Sequence, residues 1–160
     1  MPSSWPVPHK QCDDTSITTS SGKFTFYPQK FLTVDEAKKF CKKEGGILAP
    51  ITNRKDFETL HEFAIGCTNI GQGRNYFAGL EMNTPEYGYF TNGVVYDEEK
   101  HGSFSWVRKN NFKPPVCWFT YFGTYPENIR GTQSYFYKDC TEVQSRIICL
   151  NPATSTSTCN

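Results

Sequence analysis

The sequence predicts an α+β domain stapled by disulfides. Two helical patterns come first and a run of strand-like segments follows, the order in which helices segregate from an antiparallel sheet. The 160 residues include 7 cysteines, none with the paired C-x2-C spacing of a zinc site. They are therefore expected to be mostly disulfides, which places the protein outside the cell, and the odd number leaves at least one thiol over. Aromatic residues make up 16% of the chain, which favours β structure or a binding surface. A net charge of +1 gives no global field for nucleic acid or a membrane surface. No apolar run approaches the length of a membrane span. The length suits one domain with a real core.

Residues 1–22 are rich in Pro, Ser and Thr and read as an irregular arm, tied down if Cys12 is bonded. Residues 23–27 are strand-like, and Pro28 is expected to end that strand. Thr33 and Glu36 stand at capping-box spacing, and Val34, Ala37, Phe40 and Cys41 recur at helical spacing, so a helix is predicted over 34–44. Lys38, Lys39, Lys42 and Lys43 fall on its other faces. Gly45 is its natural stop, because a left-handed cap costs glycine little. After an extended link at 48–51, Asn53 and Asp56 cap a second helix over 54–65, with Phe57, Leu60 and Ala64 on one face. Residues 75–80 read as a buried strand. Asn92-Gly93 between two apolar triplets is a hairpin signal. Residues 97–102 read as solvated loop. Strands are expected at 116–121, 134–137 and 146–150, with a loop over 123–131 and a Ser/Thr-rich tail from 151 to 160.

Cys41, Gly45-Gly46 and Leu48-Ala49 close a capped helix, Phe77-Ala78-Gly79-Leu80 follows a second helix, and Cys117, Cys140 and Cys149 come late. This combination resembles the C-type lectin-like domain, over about residues 23–150. Phe77-Ala78-Gly79-Leu80 looks like the counterpart of that family's Trp-Ile-Gly-Leu core strand. The resemblance implies disulfides Cys41–Cys149 and Cys117–Cys140. It also implies that the first and last strands lie side by side. The two flanking tails would then leave from one place, and Cys12–Cys159 is the expected third pair, with Cys67 free or intermolecular; the alternative is Cys12–Cys67, since an extended arm of about ten residues reaches roughly 30 Å.

The family's calcium-dependent sugar site uses a Glu-Pro-Asn or Gln-Pro-Asp triplet and a Trp-Asn-Asp triplet, sources of the hard oxygen ligands that calcium requires in number. Here the second position reads Tyr135-Phe136-Tyr137, with no carboxylate or amide oxygen. Before Cys117 the chain offers Asn110-Asn111 but no carboxylate. Pro126-Glu127-Asn128 imitates the first triplet but falls after Cys117. The resemblance therefore implies the fold without its usual calcium chemistry, and no cofactor is expected.

The candidate ligand face lies on the loops between residues 97 and 115, joined by residues 123–130. Trp106, Arg108, Lys109, Asn110, Asn111, Phe112 and Lys113 mix aromatic, cationic and amide groups suited to an acidic ligand. Tyr125, Glu127 and Asn128 join them. The bland reading is a solvated loop with Trp106 in the core. Trp118, Tyr121, Tyr125, Tyr135 and Tyr137 offer an aromatic face, although strand alternation puts Trp118 opposite Cys117 and Phe119. Asp97-Glu98-Glu99 reads as a solvated turn before it reads as a calcium cluster. His61, between Glu58 and Glu62, reads as an exposed helix histidine. No catalytic constellation is present, so an enzyme is not expected. The leading expectation is an extracellular recognition or adhesion module, secreted or on the cell surface, that binds a protein or glycan ligand without calcium. The alternatives are a calcium-dependent lectin with a non-standard site and a structural matrix or coat component.

Overall fold

The computed structural model describes residues 10–71, 74–84, 86–101, 116–122, 138–140 and 143–153. Helix α1 (Val34–Lys43) starts at the capping box: Thr33 Oγ1 accepts from Glu36 N at 3.3 Å, and Thr33 N donates to Glu36 Oε1 at 3.0 Å. It stops at Gly45, whose φ of +89° lets Gly45 N reach Lys42 O and Gly46 N reach Cys41 O. Helix α2 (Arg54–Ile65) starts where Asn53 Oδ1 accepts from Asp56 N at 2.8 Å.

The strands are β1 (Ser16–Thr19), β2 (Gly22–Leu32), β3 (Ile47–Leu48), β4 (Arg74–Met82), β5 (Gly88–Phe90), β6 (Val116–Phe122), β7 (Lys138–Asp139) and β8 (Ser145–Pro152). They run in the order β1-β2-β8-β4-β6-β7, with β3 added on β8 and β5 on β4. First and last long strands lie antiparallel, Gly22 opposite Pro152. The β8 and β4 halves meet through one parallel pair, Tyr76 and Arg146.

Alternate residues of the central strands fill two separate cores. Tyr76, Leu80, Trp118, Phe122, Ile148 and Leu150 pack with Phe24, Phe26, Phe57 and Leu60, while Phe77, Cys117, Phe119, Ile147 and Cys149 pack with Val34, Ala37 and Cys41. Helix α2 covers one side and α1 the other, so the sheet is buried on both faces. This corrects the reading of Trp118 as part of an exposed aromatic face: it is 3% exposed. It also moves His61, which stacks on Phe57 and tilts against Phe122 at 5.8 Å instead of standing free in solvent.

Three disulfides join Cys41 to Cys149, Cys117 to Cys140 and Cys12 to Cys67. The third replaces the expected Cys12–Cys159 pair, and Cys67 is not the thiol left over. The cause is β1. Residues 16–19, read from sequence as part of an irregular arm, pair antiparallel with β2, from Thr19 opposite Gly22 back to Ser16 opposite Thr25. That hairpin carries the chain away from the place where the tails would meet. Cys12 then lies beside the end of α2, where Asn69 accepts from Cys12 N and donates to Cys12 O, at 2.9 and 3.0 Å. Ser21, in the turn of the same hairpin, donates to the buried Asp56 carboxylate. A peptide map of unreduced protein is expected to return a Cys12–Cys67 peptide; recovery of Cys12–Cys159 would contradict this pairing.

Proline 28 does not end its strand. β2 runs on to Leu32 through a register shift between Tyr27 and Leu32, where a missing N–H costs the ladder nothing.

Candidate functional site

The geometry begins with a bulge in β4. Phe77 faces Phe119 but Leu80 faces Trp118, so Ala78 and Gly79 are extra residues on β4. Gly79 has φ +82°, and a Cβ there would lie 2.3 Å from Ala49 O. The bulged carbonyls turn to other segments. Ile51 N donates to Ala78 O at 3.1 Å, and Thr91 N donates to Gly79 O at 2.9 Å. Thr91 Oγ1 also donates to Leu48 O. One bulge thus fixes both the link after α1 and the hairpin after β4.

That hairpin is the predicted one. Gly93, at φ +88°, donates to Phe90 O, Phe90 N reaches Val94 O at 2.8 Å, and Tyr89 pairs with Val95. Phe90 points inward and is 2% exposed, whereas Tyr87, Tyr89, Val94 and Val95 are between 41% and 47% exposed. The Tyr87 and Tyr89 rings meet edge to face at 5.2 Å, and their hydroxyls share a hydrogen bond. That bond is the first cause raising the Tyr87 pKa above its usual value, with desolvation next. Four exposed apolar side chains on a pinned turn make a rigid patch with two hydroxyls, suited to an amphipathic partner.

Behind the patch, α3 (Glu98–His101) replaces the expected solvated loop. Asp97 Oδ1 accepts from Glu99 N, which spends that carboxylate on capping. His101 is 4% exposed, accepts from Asp97 N through Nδ1 at 2.8 Å, and sits between Phe90 and Tyr96. Burial, the largest cause, lowers its pKa; Asp97 opposes this and Lys100 adds to it. A histidine held neutral contributes stability above the unfolded value of about 6.5 and loses it as pH falls through the lower folded value. NMR titration of the His101 ring is expected to show a midpoint below about 6.5; a midpoint above that value would contradict this placement.

The ligand residues read from sequence, Trp106, Arg108, Lys109, Asn110, Asn111, Phe112, Lys113, Tyr125, Glu127 and Asn128, lie outside the described residues. So do Tyr135-Phe136-Tyr137. From the sequence, Tyr89 reads as a strand residue only. The signal was the spacing Tyr87-Gly88-Tyr89, which puts both rings on the face opposite Phe90.

Two solved structures are similar to this chain in overall fold. The C-type lectin domain of murine dendritic cell inhibitory receptor 2, solved in complex with N-glycan, superposes with a TM-score of 0.64 at 12% identity, covering 89% of this chain and 100% of that one. The fold is C-type lectin-like. The carbohydrate-recognition domain of the mouse scavenger receptor C-type lectin gives a TM-score of 0.59 at 16% identity, over 91% and 99% of the two chains. No family model and no curated protein matches the sequence.

A C-type lectin-like fold raises the question of calcium. Among the described residues the one cluster of ligand-type side chains is Glu81 with Cys117 and Cys140. Both cysteines are spent on a disulfide, and Glu81 pairs with Lys38 at 2.7 Å. One carboxylate is too few for an ion that takes six to eight oxygens. Tyr135-Phe136-Tyr137 likewise offers no carboxylate or amide side-chain oxygen, so these residues do not fit a calcium ion.

Proposed function

We propose that this domain is an extracellular recognition module that binds a glycan or protein ligand without calcium. The observation that carries it is the patch of Tyr87, Tyr89, Val94 and Val95, held rigid by the β4 bulge on a C-type lectin-like fold. Three disulfides support an oxidising, extracellular setting. The two neighbours' names, one a complex with N-glycan and the other a carbohydrate-recognition domain, support recognition over catalysis. The ligand face extends, on this reading, from the hairpin into residues 97–115 and 123–130. There Arg108, Lys109 and Lys113 supply local positive charge for an acidic ligand.

Two variants test the two parts of that face. Tyr87→Ala with Tyr89→Ala is expected to weaken binding about thirtyfold, the roughly 2 kcal/mol of a hot spot. Its fold should survive, because no core contact is removed. Arg108→Ala with Lys109→Ala and Lys113→Ala is expected to weaken binding and flatten its salt dependence, since screened charge is what salt reduces. Both are read on the ligand found in a glycan and protein binding screen. Unchanged affinity in both folded variants would move the site elsewhere.

A further inference from the structure

Arg146, the half-buried second residue of β8, lies beside the irregular part of β2. Its Nε donates to Pro28 O at 2.9 Å, and its guanidinium lies 4.5 Å from the Phe31 ring centroid. With Nε spent, the fork between the two terminal nitrogens is the edge that remains. A half-buried cation is costly unless an anion answers it. Among the described residues no carboxylate pairs with Arg146. Burial lowers its pKa first of all, Tyr76 opposes this, and the neighbouring cation Arg74 adds to the lowering. Arg74 itself is turned to Thr68 O and Gly71 O.

A cavity of about 100 Å³ is lined by Arg146 together with Phe31, Asn75, Phe119, Val143 and Ser145. One water takes about 30 Å³ in the liquid, so three or four non-hydrogen atoms fit, the size of a carboxylate and its carbon. Carboxylate geometry matches the terminal guanidinium fork. Phe31 is half exposed, and a sugar ring can use it as an apolar wall. We propose that this cavity binds the carboxylate of an acidic sugar, end-on at the terminal nitrogens of Arg146, with the sugar ring against Phe31. The choice of a sugar rests on the recognition reading. The site itself is separate, since Asn75 and the hairpin lie at opposite ends of β4, about 20 Å apart at the usual rise per residue.

The test is NMR on the full chain, following the Arg146 side-chain Nε–H signal and the amides of Phe31 and Ser145. Sodium glucuronate is expected to shift them saturably, and glucose at the same concentrations is not. Arg146→Lys keeps the charge without the fork and should weaken the response at least about tenfold. The glucuronate–glucose comparison on the parent chain stands even if that variant does not fold. Equal shifts with glucose, or none with glucuronate, overturn the site. A response to N-acetylglycine as strong as that to glucuronate overturns the sugar assignment. The Tyr87→Ala, Tyr89→Ala variant should give the parent response, which separates failure here from failure of the hairpin.

Discussion

Replacing Cys41 and Cys149 together by alanine is expected to lower the melting temperature by roughly 10–20 °C. The bridge spans 108 residues and ties α1 to the last strand. For a loop of that length the chain-entropy relation gives about 4–5 kcal/mol. In a domain of this size each kcal/mol moves the midpoint by about 2–4 °C. The packing term has the same sign. Cys41 is fully buried and Cys149 nearly so, both in the core that also holds Val34, Phe77 and Ile147. Alanine would leave space there that a rigid sheet and helix cannot close. A calorimetric scan of the folded double variant checks this. A drop of only a degree or two would mean that the unfolded chain is already compact, or that α1 is held by something else.

Gly79→Ala is expected to cost at least about 3 kcal/mol, from strain at a left-handed backbone and from overlap. The φ of +82° is one part of it. The other is space, because the new Cβ would meet Ala49 O at 2.3 Å and Pro50 Cα at 2.5 Å, both backbone atoms. The bulge must open or the 49–51 link must leave. Since Thr91 hangs on the Gly79 carbonyl, the damage should reach the tyrosine hairpin. Chemical denaturation reads the stability, and protection of the Thr91 amide from hydrogen exchange reads the hairpin. Parent-like protection at Thr91 with lost stability would separate the hairpin from the bulge.

Local signals were legible where one residue decides one bond. Thr33 with Glu36, Asn53 with Asp56, and Gly45 each satisfy or release a helix end within four residues, and both helices start where those residues place them. The Asn92-Gly93 turn is of the same kind. The misread parts depend on what lies across the sheet. Ser16-Ile-Thr-Thr19 has three β-branched residues inside a polar, Ser/Thr-rich stretch, and becomes β1 by pairing along the edge of β2. That pairing then redirects Cys12. Trp118 reads as outward by alternation, and alternation is right about the face. What it cannot show is that α1 and α2 cover opposite sides, which buries both sets. Pro28 sits inside a strand because the register breaks beside it. The tyrosine patch was readable in spacing, but its rigidity comes from Gly79 and Thr91, twelve residues apart in the chain.

The claim that recognition here needs no calcium has one direct measurement. Thermal melts and ligand binding are run in millimolar calcium and again after chelation, on the same protein. A ligand bound only to the folded state raises the melting temperature, so an occupied calcium site would be visible even without its sugar. The expected result is a midpoint and an affinity that do not change between the two conditions. A rise of several degrees with calcium, reversed by the chelator and accompanied by loss of binding, would contradict the account.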